Sequence, residues 1–355
     1  DGDASELSVY SFLEPHLPVR IPQLYFADLS RKSTNYVLIT ERIAYAERGD
    51  DLRAKLDWRS YPRGPEHILP LPGKYQDDTL IDAHEYYMAL FRAMARVAAA
   101  DSRGRLGYED VFGKRRSETA AAAAPPAKVP PQRRQMMAGA VQRNVDELIE
   151  FVRLASGGLF AGVEDEAFLQ RLKTELTDMG GLFSAAQAAI QCRTEYEFLA
   201  HPNLQIDNAF FWVRTDPKAE PGAMLECGLL DWYGCHRRNI IMLFMGSLSG
   251  AEPDVLAAHE EGFMRCFVDE LAACGGPALD ADDLIVLFRV AFVISFVSSI
   301  KYIAQDILPE GPPRAEWAHI ADRWDARVMG RWNLRCRLIA LIQSMGFYKE
   351  RNLHK

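Results

Sequence analysis

Hydrophobic and polar positions in the first eighty residues predict a helix followed by a small hairpin. Apolar residues recur at helical spacing over residues 5–14, and Pro15 and Pro18 end that pattern. Two apolar runs at 22–30 and 35–43 flank the turn-like letters SRKSTN, which predicts an antiparallel hairpin. Residues 50–78 are rich in Pro, Gly and charge and predict an irregular segment.

Helical patterns dominate the rest of the chain. Residues 82–100 predict a helix with Asp82 as its N-cap, and further helices are predicted over 136–154, over 164–191 and from Arg238 onward. Two strands are predicted at 209–213 and 223–232, joined by the turn-rich letters RTDPKAEPG. The Ala/Pro-rich, basic-flanked stretch 114–135 predicts a low-complexity insert without a packed core. Together these elements predict an α+β fold.

Composition narrows the function classes. The 355 residues are 48% hydrophobic and carry a formal charge of −8, which gives no general attraction for nucleic acid. The six cysteines show no CxxC or paired Cys/His spacing, which argues against a zinc site or a disulfide framework and indicates a reducing compartment. The longest apolar run, residues 284–304, is interrupted by Arg289 and Lys301 and predicts a buried helix rather than a membrane span.

The candidate chemistry lies in the letters HPNLQIDN and LLDWYG. His201 is followed by Asn203, then by Asn208, then by the two predicted strands, and Asp231 stands at the end of the second strand. Each residue alone is commonly structural. Their order and spacing raise the set above coincidence.

This arrangement resembles the aminoglycoside phosphotransferase and ecdysteroid-kinase-like family, whose loop reads His-x-Asp-x-x-x-x-Asn and whose hairpin ends in a metal-binding Asp. The resemblance implies a protein-kinase-like bilobed fold, with 1–48 as a reduced N-terminal sheet lobe and hinge. Residues 49–355 would form a mostly helical lobe carrying the catalytic-loop hairpin at 199–234. It also implies ATP and Mg as cofactors, with Asn208 and Asp231 as metal ligands.

Asn203 departs from the pattern at the catalytic Asp position. An amide can hold a hydroxyl by hydrogen bonding but cannot accept its proton near neutral pH, and loss of a general base costs about 10²–10⁴ in rate. Asp207 is a nearby carboxylate, but the spacing places it beside the metal position rather than at the base position. Efficient turnover is therefore not expected.

The N-terminal segment extends the resemblance. Glu6 corresponds to the glutamate of the family's first helix, and Thr40, Glu41 and Ile43 correspond to the hinge near the adenine. The family's Gly-rich hairpin and strand lysine have no counterpart before Glu6. We expect either that these strands lie upstream of Asp1 or that half of the nucleotide clamp is lost. The expected location is the cytoplasm or, after removal of a targeting segment upstream of Asp1, the interior of an organelle.

Three hypotheses follow. The first is an impaired kinase-like domain, a pseudokinase, that serves as a binding or structural component of a protein complex. The second is an active ATP-dependent kinase of a small hydroxylated or amino-bearing molecule, for which Asp254, Glu260 and Glu261 are acidic substrate candidates. The third is a helical interaction protein in which the motif is coincidental.

The C-terminal segment suggests a partner surface. Its aromatic and apolar residues recur at helical spacing, which predicts one continuous stripe that packs on the core or binds a protein partner. The stripe and its accompanying arginines are Trp317, Ile320, Trp324, Val328, Trp332, Arg331, Arg335 and Arg337.

Overall fold

The computed structural model describes residues 2–30, 35–107, 109–112, 130–216 and 222–351. The fold is α+β: helices dominate, and the described strands form three two-stranded antiparallel sheets. The chain divides into two compact units. The first comprises Asp1–Ala124, Arg193–Leu248 and Ala258–Val286, and the second comprises Pro125–Cys192, Ser249–Ala257 and Leu287–Lys355. The predicted boundary near residue 48 lies inside the first unit.

Most elements follow one another closely along the chain, but residues 41–82, between β2 and α2, contain only short 3₁₀ turns. The strands are β1 (Leu24–Leu29), β2 (Tyr36–Thr40), β3 (Glu197–Ala200), β4 (Ala209–Thr215), β5 (Ala223–Leu229) and β6 (His236–Asn239). The α-helices are α1 (Gly2–Ser8), α2 (Ala83–Ser102), α3 (Glu109–Phe112), α4 (Pro131–Leu154), α5 (Glu166–Met179), α6 (Phe183–Gln191), α7 (Ile241–Ser247), α8 (Pro253–Ala273), α9 (Ala281–Ile300), α10 (Leu308–Glu310), α11 (Ala326–Met329) and α12 (Trp332–Arg351).

The predicted N-terminal helix and hairpin are confirmed. Helix α1 continues as a π-turn over Val9–Leu13 and a 3₁₀ turn over Glu14–His16, which contains Pro15. Strands β1 and β2 pair antiparallel, and the central letters of the predicted turn, 31–34, lie outside the described residues. The hairpin leaves several large apolar side chains exposed, among them Tyr25 at 62%.

Helix α2 forms the centre of the first unit. The helix is predicted correctly, and Asp82 occupies its N-cap position as predicted. The Asp82 side chain makes no capping hydrogen bond: the residue lies in the left-handed region with φ 52°, and its carboxylate pairs with Arg59. Tyr86 packs edge-on against Phe211 of β4, and Phe91 packs against Phe244 and Phe263. One helix therefore joins the hairpin and the following helices into a single core.

Strands β4 and β5 form the predicted hairpin, with Phe211 opposite Cys227. The middle of the predicted turn, 217–221, lies outside the described residues. Strands β3 and β6 are absent from the sequence-based prediction, and they pair Leu199 with Arg237. Both strands are four residues long and carry little periodicity. Strand β3 is largely buried and lies beside α2, whereas β6 is half-exposed.

The second unit contains α4, α5, α6 and the C-terminal helices. The predicted insert overlaps α4, which begins at Pro131, and residues 113–129 lie outside the described residues. The predicted helix over 164–191 is two helices, because Gly180 and Gly181 separate α5 from α6.

The prediction of one continuous aromatic stripe in the C-terminal segment is wrong. Pro312 and Pro313 precede a 3₁₀ segment, Arg314–His319, and Gly330 separates α11 from α12, so no single helix carries these residues. Trp317 is fully buried and packs edge-on against Phe151, whereas Trp332 is 55% exposed. The predicted packing role is confirmed for Trp317, Ile320 and Val328, which are buried.

Residues Ala281–Glu310 form the one described helical stretch long and apolar enough to cross a membrane, judged by length and composition alone. Its mean hydropathy is 2.1, and 61% of the window is buried inside the structure. Core helices of water-soluble proteins pass the same test, and this degree of burial agrees with the predicted buried helix.

A buried ion pair fixes β3 and β6 to α2. The Arg237 guanidinium donates to the Asp101 carboxylate at 2.6 Å, and the side chains are 6% and 0% exposed. The second Asp101 oxygen accepts from the Leu199 amide at 2.9 Å, so both carboxylate oxygens are used.

We therefore predict that Arg237→Leu lowers the free energy of unfolding by about 3–5 kcal/mol, because it removes the guanidinium that pairs with the buried Asp101 carboxylate. Arg265→Leu, which removes the exposed pair with Asp282, is the matched control and costs at most about 1 kcal/mol. Urea denaturation of both variants provides the measurement. Equal losses of unfolding free energy in the two variants would contradict a stabilising role for the buried pair of Arg237 and Asp101.

Candidate functional site

The loop between β3 and β4 carries the predicted catalytic residues. Strand β3 ends at Ala200, Pro202 prevents its continuation, and a 3₁₀ turn over Ile206–Asn208 leads directly into β4. The loop is anchored at both ends by strands of the first unit. Its polar residues are thereby held close to the end of β5.

His201 connects this loop to the residue before Asp231. Its ring is 1% exposed, Nε2 donates to the Leu230 carbonyl at 2.6 Å, and Nδ1 accepts from the Asn203 amide at 3.3 Å. These partners require the proton on Nε2. Burial lowers the pKa of His201 to about 4, so the ring is neutral at physiological pH.

Asn208 strengthens the same connection. Its side-chain Nδ2 donates to the Asn203 carbonyl at 2.7 Å, and its own carbonyl accepts from the Leu230 amide at 2.9 Å. Within the described part of the chain, the side-chain Oδ1 has no hydrogen-bond donor. The amide is therefore fixed in orientation with one oxygen available.

Asp231 combines a strained backbone with an unneutralised charge. Its φ is 57°, a conformation that costs a residue with a Cβ about 1–2 kcal/mol. The side chain is exposed and makes no ion pair or hydrogen bond with any described residue. Its charge contributes to raising the pKa of Tyr10 and of Asp207, although burial is the larger cause for both.

Asn203 serves the loop through its backbone. Its carbonyl accepts from the Gln205 amide and from the Asn208 side chain. The half-buried carboxamide itself makes no hydrogen bond to the described residues. The loop therefore keeps its shape without using the Asn203 side chain.

Sequence reasoning missed Lys74. Its Nζ lies 3.4 Å from Asp207 Oδ2, and the two side chains are only 15% and 17% exposed. Burial raises the pKa of Asp207, and the Lys74 ammonium opposes that shift. Lys74 lies in the segment predicted as irregular, where no periodicity marks it, so only the tertiary fold reveals the pair.

A pocket of about 630 Å³ lies beside the segment after β2. Thr40, Glu41 and Ile43, the predicted hinge residues, line it together with Tyr10 and Leu230. Ile43 and Leu230 also pack against the buried cluster of Ile68, Phe210 and Trp212. The residue that accepts the His201 hydrogen bond is thus also a wall of this pocket.

At this pocket, the polar groups of Glu41 are already bonded, whereas the backbone that follows it is not, within the described residues. Glu41 is held by an ion pair with Arg20 at 2.8 Å, and its amide donates to the Gln23 carbonyl. No backbone amide or carbonyl over 42–45 is hydrogen-bonded to other backbone groups of the described residues. This segment, which is neither helix nor strand, therefore presents unused backbone donors and acceptors.

Glu6 lies on α1 near the same pocket. It is 8% exposed, accepts from the Tyr36 hydroxyl at 3.4 Å, and its charge contributes to the raised pKa of Tyr10. Tyr10 therefore has both Glu6 and Asp231 as acidic neighbours. The three substrate candidates on α8 are less informative: Asp254 and Glu261 are exposed, and Glu260 is buried.

The donor set suits magnesium in part. Asn208 Oδ1 and the Asp231 carboxylate are oxygen ligands of the kind that Mg²⁺ prefers, and this ion ordinarily takes one or two protein carboxylates, with water and phosphate as the remaining ligands. No group of three or more His, Cys, Asp or Glu among the described residues is arranged to hold a metal. The residues thus fit a metal that arrives with a phosphate ligand.

Comparison with known proteins gives no family for this chain: no protein-family model, curated protein or solved structure matches it significantly.

We predict that His201 makes stability fall between pH 6.5 and pH 4. The unfolded histidine takes up a proton below about pH 6.5, whereas the folded ring resists protonation until about pH 4. The contribution of His201 to the free energy of unfolding is therefore fully present above the unfolded pKa and is lost as the pH falls toward 4. For a shift of this size the loss is about 3 kcal/mol.

Urea midpoints of wild type and His201→Gln at pH 7.5, 6 and 5 measure this effect. The difference in urea midpoint between the two proteins narrows at low pH if the buried His201 ring has the lowered pKa. His16→Gln, at an exposed histidine, is the control and keeps the wild-type pH profile. A constant gap between wild type and His201→Gln would exclude the proposed linkage.

Proposed function

We propose that this chain is a kinase-like domain of the aminoglycoside phosphotransferase type that binds ATP with Mg²⁺ and has impaired phosphotransfer. The observation that carries the proposal is the link through Leu230. This residue lines the pocket beside the predicted hinge, accepts the hydrogen bond of His201 and directly precedes Asp231. An adenine site and a phosphate site would thereby be neighbours in sequence and structure.

The pocket chemistry supports a planar, hydrogen-bonding ligand such as adenine. Ile43 and Leu230 supply apolar walls, and the backbone of 42–45 supplies unused donors and acceptors along one edge. Apolar pockets with a few fixed polar groups are typical small-molecule sites. The volume of about 630 Å³ lies within the usual range for such ligands.

Asn208 and Asp231 would hold the metal. Magnesium neutralises phosphate charge when bound with the nucleotide. The loop supports this role because the Asn208 amide is oriented by the Asn203 carbonyl, and Asp231 keeps its charge without an internal partner. Retention of a costly backbone conformation at Asp231 is expected where the side chain has an external ligand.

Asn203 favours binding over catalysis. Its carboxamide can hold a ligand hydroxyl but cannot accept the proton released when that hydroxyl attacks phosphorus. We therefore favour a pseudokinase that acts as a ligand-binding component of a larger protein assembly.

The second candidate is an active kinase of a small hydroxylated or amino-bearing molecule. The pair of Lys74 and Asp207 favours it, because a mostly buried carboxylate with a raised pKa is a stronger base than an ordinary aspartate. Asp207 precedes Asn208 directly, so an acceptor bound near it would approach the metal site. In this alternative, Asp207 takes the role that Asn203 cannot fill.

Mg-ATP is predicted to stabilise the protein against thermal unfolding, by about 3 kcal/mol at a hundred times its dissociation constant. Ala44→Trp, which introduces a large ring at the pocket, abolishes this shift. Glu47→Trp adds the same ring at an exposed position outside the pocket lining and retains it. Equal shifts in both variants, or none in wild type, would refute a nucleotide site here.

Asn203→Asp is predicted to raise ATP-dependent phosphotransfer or ATP hydrolysis by about 10²-fold or more, because it restores a general base. Asn203→Ala removes the amide without supplying a base and serves as the control, with no gain. If the wild type already turns over efficiently and Asp207→Asn abolishes that activity, the active-kinase alternative replaces the pseudokinase.

A further inference from the structure

Strand β6 carries two adjacent arginines in opposite electrostatic settings. Successive side chains of a strand point to opposite faces, so Arg237 and Arg238 lie on different sides of the β3–β6 pair. Arg237 forms the buried ion pair with Asp101. Within the described part of the chain, Arg238 makes no ion pair with a carboxylate. One cation of this strand is therefore neutralised and the other is not.

The Arg238 guanidinium is fixed in position but not saturated. Its Nη2 donates to the Gly234 carbonyl at 3.1 Å and to Nδ1 of His236 at 2.5 Å. Its Nε is shielded from solvent, and neither Nε nor Nη1 has an acceptor among the described residues. Burial lowers the pKa of Arg238, and no carboxylate of the described residues counters that shift. A half-buried cation with unused donors is costly unless an external acceptor meets it.

His236 supplies a second donor on the same face. Residues 236 and 238 are two apart on the strand, so their side chains point to one side. A guanidinium has no acceptor atom, so Nδ1 of His236 accepts from Arg238 and the proton resides on Nε2. The 2.7 Å approach of Nδ1 to the Gly234 carbonyl is then not a donated hydrogen bond. His236 is exposed, and its Nε2 makes no hydrogen bond to the described residues.

These two side chains are complementary to a phosphate group. They offer N–H donors from Arg238 Nη1 and His236 Nε2, and neither donor is bonded to a carboxylate of the described residues. A phosphate monoester carries up to two negative charges and three acceptor oxygens, so it can accept from both side chains at once. A carboxylate has one charge and two oxygens, and a neutral ligand does not supply the missing counter-charge.

The site lies beside the start of the candidate catalytic loop. His236 pairs with Ala200, the last residue of β3 before that loop. Gly234, whose carbonyl fixes the guanidinium, comes so close to Pro202 of the loop that an added Cβ would lie 3.7 Å from the Pro202 Cγ. A phosphate bound here is therefore held next to the loop, by residues other than those that line the adenine pocket or would hold the metal.

We propose that Arg238 and His236 form a binding site for a phosphate group, either that of a small phosphorylated molecule or inorganic phosphate itself. The inference does not rest on the proposed nucleotide site, because its probes contain neither nucleotide nor metal. Loss of Mg-ATP binding with phosphate binding retained would count against the nucleotide site alone.

Isothermal titration calorimetry with inorganic phosphate, without magnesium and at an ionic strength held constant with sodium chloride, tests the proposal. Phosphate is expected to show saturable binding, and acetate is expected to bind about tenfold more weakly or worse, because it carries one charge and fewer acceptor oxygens. Glycerol 3-phosphate distinguishes the two sources: tighter binding than that of inorganic phosphate identifies a phosphorylated molecule, and weaker binding identifies free phosphate. No phosphate binding, or equal affinity for acetate, would overturn the proposal.

A matched pair of variants locates the site. Arg238→Gln is expected to weaken phosphate binding about tenfold or more, whereas Arg265→Gln, at the exposed pair with Asp282, keeps wild-type affinity. Because Arg238 has no carboxylate partner among the described residues, its replacement is not expected to lower the thermal midpoint in phosphate-free buffer. Phosphate is expected to raise the midpoint of the wild type but not that of Arg238→Gln. Unchanged phosphate affinity in a folded Arg238→Gln variant would contradict the assignment.

The exposed histidine provides a second test that leaves the guanidinium in place. His236→Ala removes one donor at an exposed position and is expected to weaken phosphate binding by about fivefold. His16→Ala makes the same change at another exposed histidine and keeps wild-type affinity. Equal phosphate affinity of His236→Ala and His16→Ala would exclude the two-residue site.

Discussion

The buried ring of His201 is the constraint on which the candidate site depends. It accepts from the Asn203 amide and donates to the Leu230 carbonyl, so a single neutral side chain fixes the loop to the end of β5. The two nitrogens perform these roles only in one tautomer, and burial excludes the charged form at neutral pH. Together with the hydrogen bond from the Leu230 amide to the Asn208 carbonyl, this ring holds Asn208 and Asp231 close to each other.

Around this connection, Asn208 and Asp231 offer oxygen ligands, whereas Asn203 offers a carboxamide. Asn208 is oriented by a hydrogen bond, and Asp231 accepts backbone strain while its carboxylate has no internal partner. Both features suit a metal that arrives with phosphate. Asn203 supplies only its backbone to the loop, so its side chain is where the function can change without loss of the fold.

Much of the local structure was predictable, because it depends on nearest neighbours in sequence. The hairpins β1–β2 and β4–β5 and helix α2 follow from periodicity and turn residues. Asp82 was not predictable as a partner of Arg59, and Lys74 was not predictable as a partner of Asp207, because both pairs form through tertiary contacts. The C-terminal stripe failed because helical spacing alone did not account for the breaks at Pro312, Pro313 and Gly330.

The central claim is that a nucleotide and a divalent metal meet at Asp231. Calorimetric titration with ATP, with and without magnesium, of wild type and Asp231→Asn tests it most directly, with adenosine as the metal-independent reference. We predict that magnesium strengthens ATP binding to the wild type but not to the variant, while adenosine binds both equally. ATP binding that is absent, or that magnesium strengthens equally in both proteins, would contradict the account.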